Sequence, residues 1–226
     1  MSKRWGILLL SIAALVGAGC PPTTFVPPAG EVVFRDEFAD ELEDGWTFAG
    51  MDPSRLTLAE RSGFVRIYPQ APDVPAEQAS SLLRDIDGDF ILTARMDFET
   101  IVDLELAGLF VQSGDGRTVA AGILSATGAR GTFRGAILRA DRGGDIGRVA
   151  ESTDLESVFL RLERRGDSFI GSFSGDGQTY TLLGTVTNDL PDAVQAGVAV
   201  GASELCSRNC DQVIAADFDF FEVAVP

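Results

Sequence analysis

Apolar and polar residues alternate along most of this chain with a period of two. Phe64-Val65-Arg66-Ile67-Tyr68, Phe90-Ile91-Leu92-Thr93-Ala94-Arg95-Met96-Asp97-Phe98 and Val158-Phe159-Leu160-Arg161-Leu162-Glu163 each place an apolar side chain at every second position. That spacing lets an extended strand bury one face, and the β-branched and aromatic content suits a pleated surface. Turn signals separate the runs at short intervals: Asp87-Gly88-Asp89, Ser113-Gly114-Asp115-Gly116, Arg142-Gly143-Gly144-Asp145, Arg165-Gly166-Asp167 and Ser174-Gly175-Asp176-Gly177. Each supplies glycine where a tight hairpin needs a positive φ. Beyond the N-terminus no run has helical period, and Asp40 to Asp44 allows one helical turn at most. The pattern predicts an all-β fold, an antiparallel two-sheet jelly-roll sandwich.

The N-terminus breaks the pattern. Lys3 and Arg4 precede an apolar run from Ile7 to Val16, which ends in Gly17-Ala18-Gly19-Cys20. The run is short for a membrane span. With small residues leading into a cysteine, it predicts a lipoprotein signal cut before Cys20, whose thiol then carries lipid. The expected organisation is a signal peptide over 1–19, a lipidated Cys20 and Pro-rich tether over 20–30, and one β-sandwich domain over 31–226. The prolines in Pro21-Pro22 and Pro27-Pro28 favour an extended backbone without hydrogen bonds, as in a stalk. Export across the inner membrane follows. Pro21 supplies no acid of the kind that retains a lipoprotein there, so the expected location is the outer membrane or cell surface, with the bilayer reached through lipid.

Composition narrows the partners. Cleavage before Cys20 leaves 16 basic against 34 acidic side chains, a formal charge of −18, which argues against nucleic acid. The chain has no histidine, and Lys3 is its sole lysine, so every base beyond residue 19 is arginine. Without histidine, Ser-His-Asp and Cys-His catalysis and most catalytic zinc sites are excluded. Cys206 and Cys210 form an even pair outside the cytoplasm and are expected to close a short disulfide loop.

The order of several short segments resembles a known family. Asp36-Glu37-Phe38 is followed by Asp44-Gly45-Trp46, then by Arg61-Ser62-Gly63-Phe64-Val65-Arg66, Gly88-Asp89-Phe90 and Ala107-Gly108-Leu109-Phe110. Later come Phe159 to Asp167, Gly171-Ser172-Phe173-Ser174 with Asp176-Gly177, and Ala216-Asp217-Phe218-Asp219-Phe220-Phe221. Together they resemble the concanavalin A-like sandwich found as the C-terminal domain of bacterial β-xylosidases and in related stand-alone bacterial proteins. The chain departs from it between Ala126 and Val149, which is longer and richer in glycine, and at the cysteine pair.

The resemblance implies a calcium ion tying the first strand to the last through Asp36 and Asp219, with backbone carbonyls and water completing the shell. The alternative is that both acids simply cap strand ends. In the closing strand, strict alternation would put Phe218 and Phe220 on one face, and Asp217, Asp219 and Phe221 on the other. The resemblance also implies a non-catalytic module that meets glycans. Candidate ligand-binding residues are Trp46, Arg84, Gln112 and Tyr180, because sugar sites combine aromatic platforms with planar polar groups. Against this stand their ordinary fates: Trp46 closing the core, Arg84 and Gln112 pointing outward from strands. No Glu-x-Asp pair of the type used by hydrolases on such sandwiches is present. Two alternatives stay open, an envelope structural or protein-interaction lipoprotein without a small ligand, and a glycoside hydrolase with an unrecognised carboxylate pair.

Overall fold

A computed structural model describes residues 22–69, 79–98, 105–128, 131–142, 146–202 and 215–226. Strands are numbered in chain order. One sheet has the order β1 (Thr24–Phe25), β14 (Tyr180–Thr187), β13 (Ser168–Ser174), β12 (Ser157–Arg165), β7 (Phe90–Asp97), β16 (Ala216–Val225), β5 (Val65–Ile67), β4 (Leu56–Thr57), with β2 (Glu31–Asp36) paired to the second half of β16. The other has the order β11 (Ile146–Ser152), β10 (Gly131–Asp141), β9 (Thr118–Gly128), β8 (Glu105–Gln112), β15 (Ala193–Ala202), β6 (Ser80–Asp87), β3 (Thr47–Ala49). The pairings are antiparallel, as the hairpin signals require. Among the described residues the only helical element is the single 3-10 turn Pro53–Arg55, and no helix is long and apolar enough to cross a membrane.

The core lies between the sheets. Leu92, Ala94 and Met96 of β7 and Val158, Leu160 and Leu162 of β12 face Leu109 and Val111 of β8 and Ala196 and Val198 of β15 in one buried cluster. The alternation predicted for residues 90–98 and 158–163 is thus the inward face of the two central strands. Gly88 (φ 72°), Gly166 (φ 55°) and Gly177 (φ 70°) take the left-handed turn conformation for which glycine was expected.

Two expectations change. In β16 the pairing with β7 shifts between Phe218 and Phe220, a bulge that inserts one residue and reverses the alternation. Phe218 and Phe221 therefore both point inward, fully buried, while Arg95 takes Asp219 on the outer face. Strict period two had put Phe221 with the aspartates.

Residues 22–30 also differ from a stalk, because they lie on the sandwich. Thr24 and Phe25 pair with Thr181 and Tyr180. The N–H of Leu182 donates to the Thr23 carbonyl at 2.9 Å, and Arg161 donates to the Pro28 carbonyl at 3.4 Å. Gly30 passes so close beneath β16 that a Cβ there would fall 2.5 Å from the Val225 carbonyl. The segment is a strap from the β14 edge to β2, across the outer face of β13, β12 and β7. Pro22 and the Pro27-Pro28 pair, lacking N–H donors, confine β1 to two residues.

Arginine is used as a clamp. Arg164 is buried between the rings of Phe90 and Phe169 and donates to the carbonyls of Gly166, Leu190 and Asp192 at 3.1, 2.9 and 3.2 Å. Arg134 likewise donates to Phe98, Thr153 and Leu155 carbonyls. The planar five-donor guanidinium can satisfy several loop carbonyls at once, which a lysine ammonium does less well.

Candidate functional site

The outer face of the seven-stranded sheet carries the best-organised polar array that includes a predicted ligand residue. Because Leu109 and Val111 point into the core, Phe110 and Gln112 point out; Val194 and Ala196 do the same for Gln195. The register then sets a row across five strands: Asp141, Thr118, Gln112, Gln195 and Asp85. Gln112 Nε2 donates to Gln195 Oε1 at 3.1 Å, and Gln195 Nε2 donates to Asp85 Oδ1 at 3.2 Å. Two planar amides and a carboxylate are thereby held in line, with Gln112 and Gln195 half-buried and Asp85 exposed.

Beside this row Phe110 stands next to Ala120 and Gly197, and beyond it Gly122, Gly108, Ala199 and Ser81 form a row of small residues across β9, β8, β15 and β6. Four strands span about 14 Å at the usual spacing. Gly197 is required there, since a Cβ would sit 2.0 Å from the Leu82 carbonyl of the neighbouring strand.

Of the four predicted ligand residues, the structure brings together two and separates the others. Trp46 closes one end of the sandwich: its ring packs against Phe221, Phe34 and Phe38 at 5.2, 5.8 and 6.1 Å, and its Nε1 donates to Asp36 Oδ2 at 2.7 Å. Arg84 lies beside it, its guanidinium 3.3 Å above the Phe34 ring and 5.9 Å from Trp46. Burial pushes the Arg84 guanidinium below its ordinary value, with the Asp36 charge opposing. Its Nη1 is enclosed without a hydrogen-bond acceptor among the described residues. Gln112 belongs to the amide row. Tyr180 is on the other sheet and only 4% exposed, with its phenol pushed above its usual range by burial.

A cleft of about 230 Å³ opens beside Arg84, floored by Phe34, Phe90 and Val223 and rimmed by Asp85, Asp87 and Asp89. It is smaller than a typical small-molecule site of roughly 300 to 1,000 Å³. Asp85 links its mouth to the amide row.

The two carboxylates expected to share calcium are turned away from each other. Asp36 is 2% exposed, and its oxygens take the N–H groups of Phe38 and Glu43 at 2.8 and 2.9 Å in addition to the Trp46 indole. Asp219 accepts from Arg95 Nη1 at 2.6 Å on the outer face. Calcium needs six to eight oxygen ligands, and among the described residues no three acids or cysteines are grouped to hold a metal. These residues do not fit a shared ion. Cys20, Cys206 and Cys210, with the lipidation and disulfide expected of them, lie outside the described residues.

Sequence reasoning missed Gln195, Asp85 and Phe110 as partners of Gln112. The signal was present in the parity of Phe110-Val111-Gln112 and Val194-Gln195-Ala196, but the register that lines the strands up is a tertiary property. It also missed the ion-pair network on the opposite face. There Asp217 accepts from Arg66 at 2.6 and 2.8 Å and from Arg61 at 3.0 Å, Arg61 pairs with Asp97 at 2.6 Å, and Glu60 binds Arg66 and Tyr68. Burial of Asp217 opposes its ionisation, but the hydrogen bonds from Arg66 and Arg61 outweigh this and hold its carboxyl below the usual range. Arg61 and Arg66 stand in one of the family-like segments, so the likeness there has a structural basis.

The same architecture recurs in solved structures. The GH43 BlXynB protein from Bacillus licheniformis superposes with a TM-score of 0.70 at 17% identity over 85% of this chain and 39% of that one. A xylan β-1,4-xylosidase from Bacillus halodurans C-125 gives 0.65 at 17% identity over 91% of this chain and 41% of that one. A Bacillus licheniformis β-glucanase gives 0.55 at 11% identity, covering 88% of this chain and all of the other. This chain thus spans about two fifths of the GH43 proteins it matches. No curated protein matches it. The family model for the β-xylosidase C-terminal concanavalin A-like domain (GH43_C2) matches residues 35–224, from β2 to β16, so the chain belongs to that family.

Proposed function

We propose that this protein is a lipid-anchored module of the cell envelope that binds glycan and performs no catalysis. The observation that carries the reading is the row Gln112–Gln195–Asp85 beside Phe110 on the outer face of the seven-stranded sheet. In-line amide and carboxylate groups suit the paired hydroxyls of a sugar, and an aromatic ring suits its apolar face. Relatives in the family are domains of xylosidases, which supports a polysaccharide as ligand class.

Within this row, spacing does not suit a catalytic pair. The carboxylates in the row, Asp85 and Asp141, stand four strand spacings apart, about 19 Å. A glycosidase pair needs roughly 5 to 10 Å. Anchoring rests on the Cys20 signal, with the outer membrane or cell surface as location.

Affinity electrophoresis of the detergent-solubilised protein through gels containing xylan, arabinan or bacterial polysaccharides tests the binding. Retardation in at least one gel, abolished by Gln112→Ala and by Phe110→Ala, is the expected result. Equal mobility in every gel overturns it in favour of an interaction lipoprotein without a small ligand.

A further inference from the structure

We propose that the strap face of the nine-stranded sheet, at the β1–β14 edge, lies directly against the bilayer; this rests on the lipid-anchor reading above. Thr23 is already held by Leu182, and Thr24 and Phe25 are zipped to β14. Cys20 is three residues before Thr23, so the lipidated thiol is within about 11 Å of the sheet edge along even a fully extended chain. A leash that short holds the edge within reach of the headgroups, where a free stalk of the expected length would let the domain stand away and turn.

The surface agrees. The large apolar side chains exposed among the described residues are Val26 (78%), Val33 (58%), Val32 (52%), Val225, Phe48 and Leu182. Of these, Val26 on the strap and Leu182 beside the β1 pairing sit at this edge, whereas Val32, Val33 and Val225 belong to β2 and β16, five strand spacings or about 24 Å away, and Val33 and Val225 line the cleft beside Arg84. Val26, the most exposed of them, stands six residues after the lipidated cysteine, where an apolar side chain adds to acyl-chain insertion. Charge does not supply the contact. At −18 the processed chain is repelled by anionic headgroups, so the attraction is apolar rather than polybasic. The consequence for function is orientation: the amide row is on the outer face of the opposite sheet, which is turned away from the membrane and toward external polymer.

The test uses the full lipoprotein, processed in a bacterial host and reconstituted into phosphatidylethanolamine and phosphatidylglycerol vesicles whose acyl chains carry bromine. Val26→Trp and Phe48→Trp are compared with the parent, whose Trp46 emission is the common background. Loss of most of the added emission in Val26→Trp, with none lost in Phe48→Trp, is the expected result. Equal quenching at the two positions, in protein whose N-terminal peptide carries lipid by mass spectrometry and whose melting is unchanged, overturns the orientation and leaves the anchor intact. An N-terminal peptide without lipid at Cys20 overturns the anchor reading, and the orientation falls with it.

Discussion

The indole N–H of Trp46 donates to Asp36 Oδ2 at 2.7 Å across ten residues of chain. The same carboxylate takes the N–H of Phe38, whose φ of 51° is left-handed and unusual for an aromatic residue. One buried acid thus ties the end of β2, the reversal at Phe38 and the Asp-Gly-Trp turn into a plug that closes the sandwich. Asp36→Ala leaves three donors without their acceptor, and each buried orphan costs about 1 to 3 kcal/mol. The expected outcome is a loss of at least ~2 kcal/mol in denaturant melts with a red shift of Trp46 emission. Because Asp36 is committed to N–H donors, EDTA and added calcium are expected to leave the melting temperature of the parent unchanged.

Asp217 makes stability pH-dependent. Its folded carboxyl titrates below the unfolded value because the hydrogen bonds from Arg66 and Arg61 overcome its burial. A depressed acid contributes stability that is fully present above the unfolded pKa of about 3.9 and is lost as pH falls through the folded value. Melting temperature is therefore expected to drop below about pH 4, and Asp217→Asn to be less stable at neutral pH with a shallower acid decline. An unchanged acid limb in the variant would show that other carboxylates govern it.

Arg164 is buried with three carbonyls as acceptors. Arg164→Leu fills a similar space but orphans these carbonyls in the loop before β15 and the β12–β13 turn. The expected cost is ~3 kcal/mol or more, with amide exchange accelerating around residues 188–192 before the rest of the molecule. Arg164→Lys recovers only part of it, because one ammonium cannot reach three carbonyls with the geometry of the fork.

Gly197 lies under the polar row, where a Cβ would come within 2.0 Å of the Leu82 carbonyl. Backbone on backbone leaves no flexible atom to yield, so Gly197→Ala is expected to cost about 1 to 3 kcal/mol by forcing β15 and β6 apart. Since Gln195 and Asp85 belong to those strands, the same variant is expected to weaken any polysaccharide retardation more than an equally destabilising core change such as Leu160→Ala, measured side by side.

Much of the fold was legible because a strand's side-chain period is local. The inward faces of β7 and β12 follow from alternation, and the hairpins at Gly88 and Gly166 follow from residues that alone tolerate left-handed backbone. Trp46 as a core plug was one of two readings of a residue after a turn, and packing chose between them. That Asp36 and Asp219 face opposite sides of the sheet was not legible, because a single-residue bulge in β16 reverses parity without leaving a residue pattern of its own. The strap was not legible for a related reason: Pro-rich sequence specifies an extended backbone, but not whether a neighbouring sheet edge is free to take it.

By itself, then, the sequence determined the strand class and the turns, each a consequence of short-range covalent and conformational preferences, and the acidic, arginine-rich composition. Only the tertiary structure decided that Gln112 meets Gln195 and Asp85, that Asp36 serves Trp46, and that residues 22–30 lie across β12. These depend on register and edge pairing between segments far apart in the chain, where many alignments satisfy the same local pattern and burial selects one.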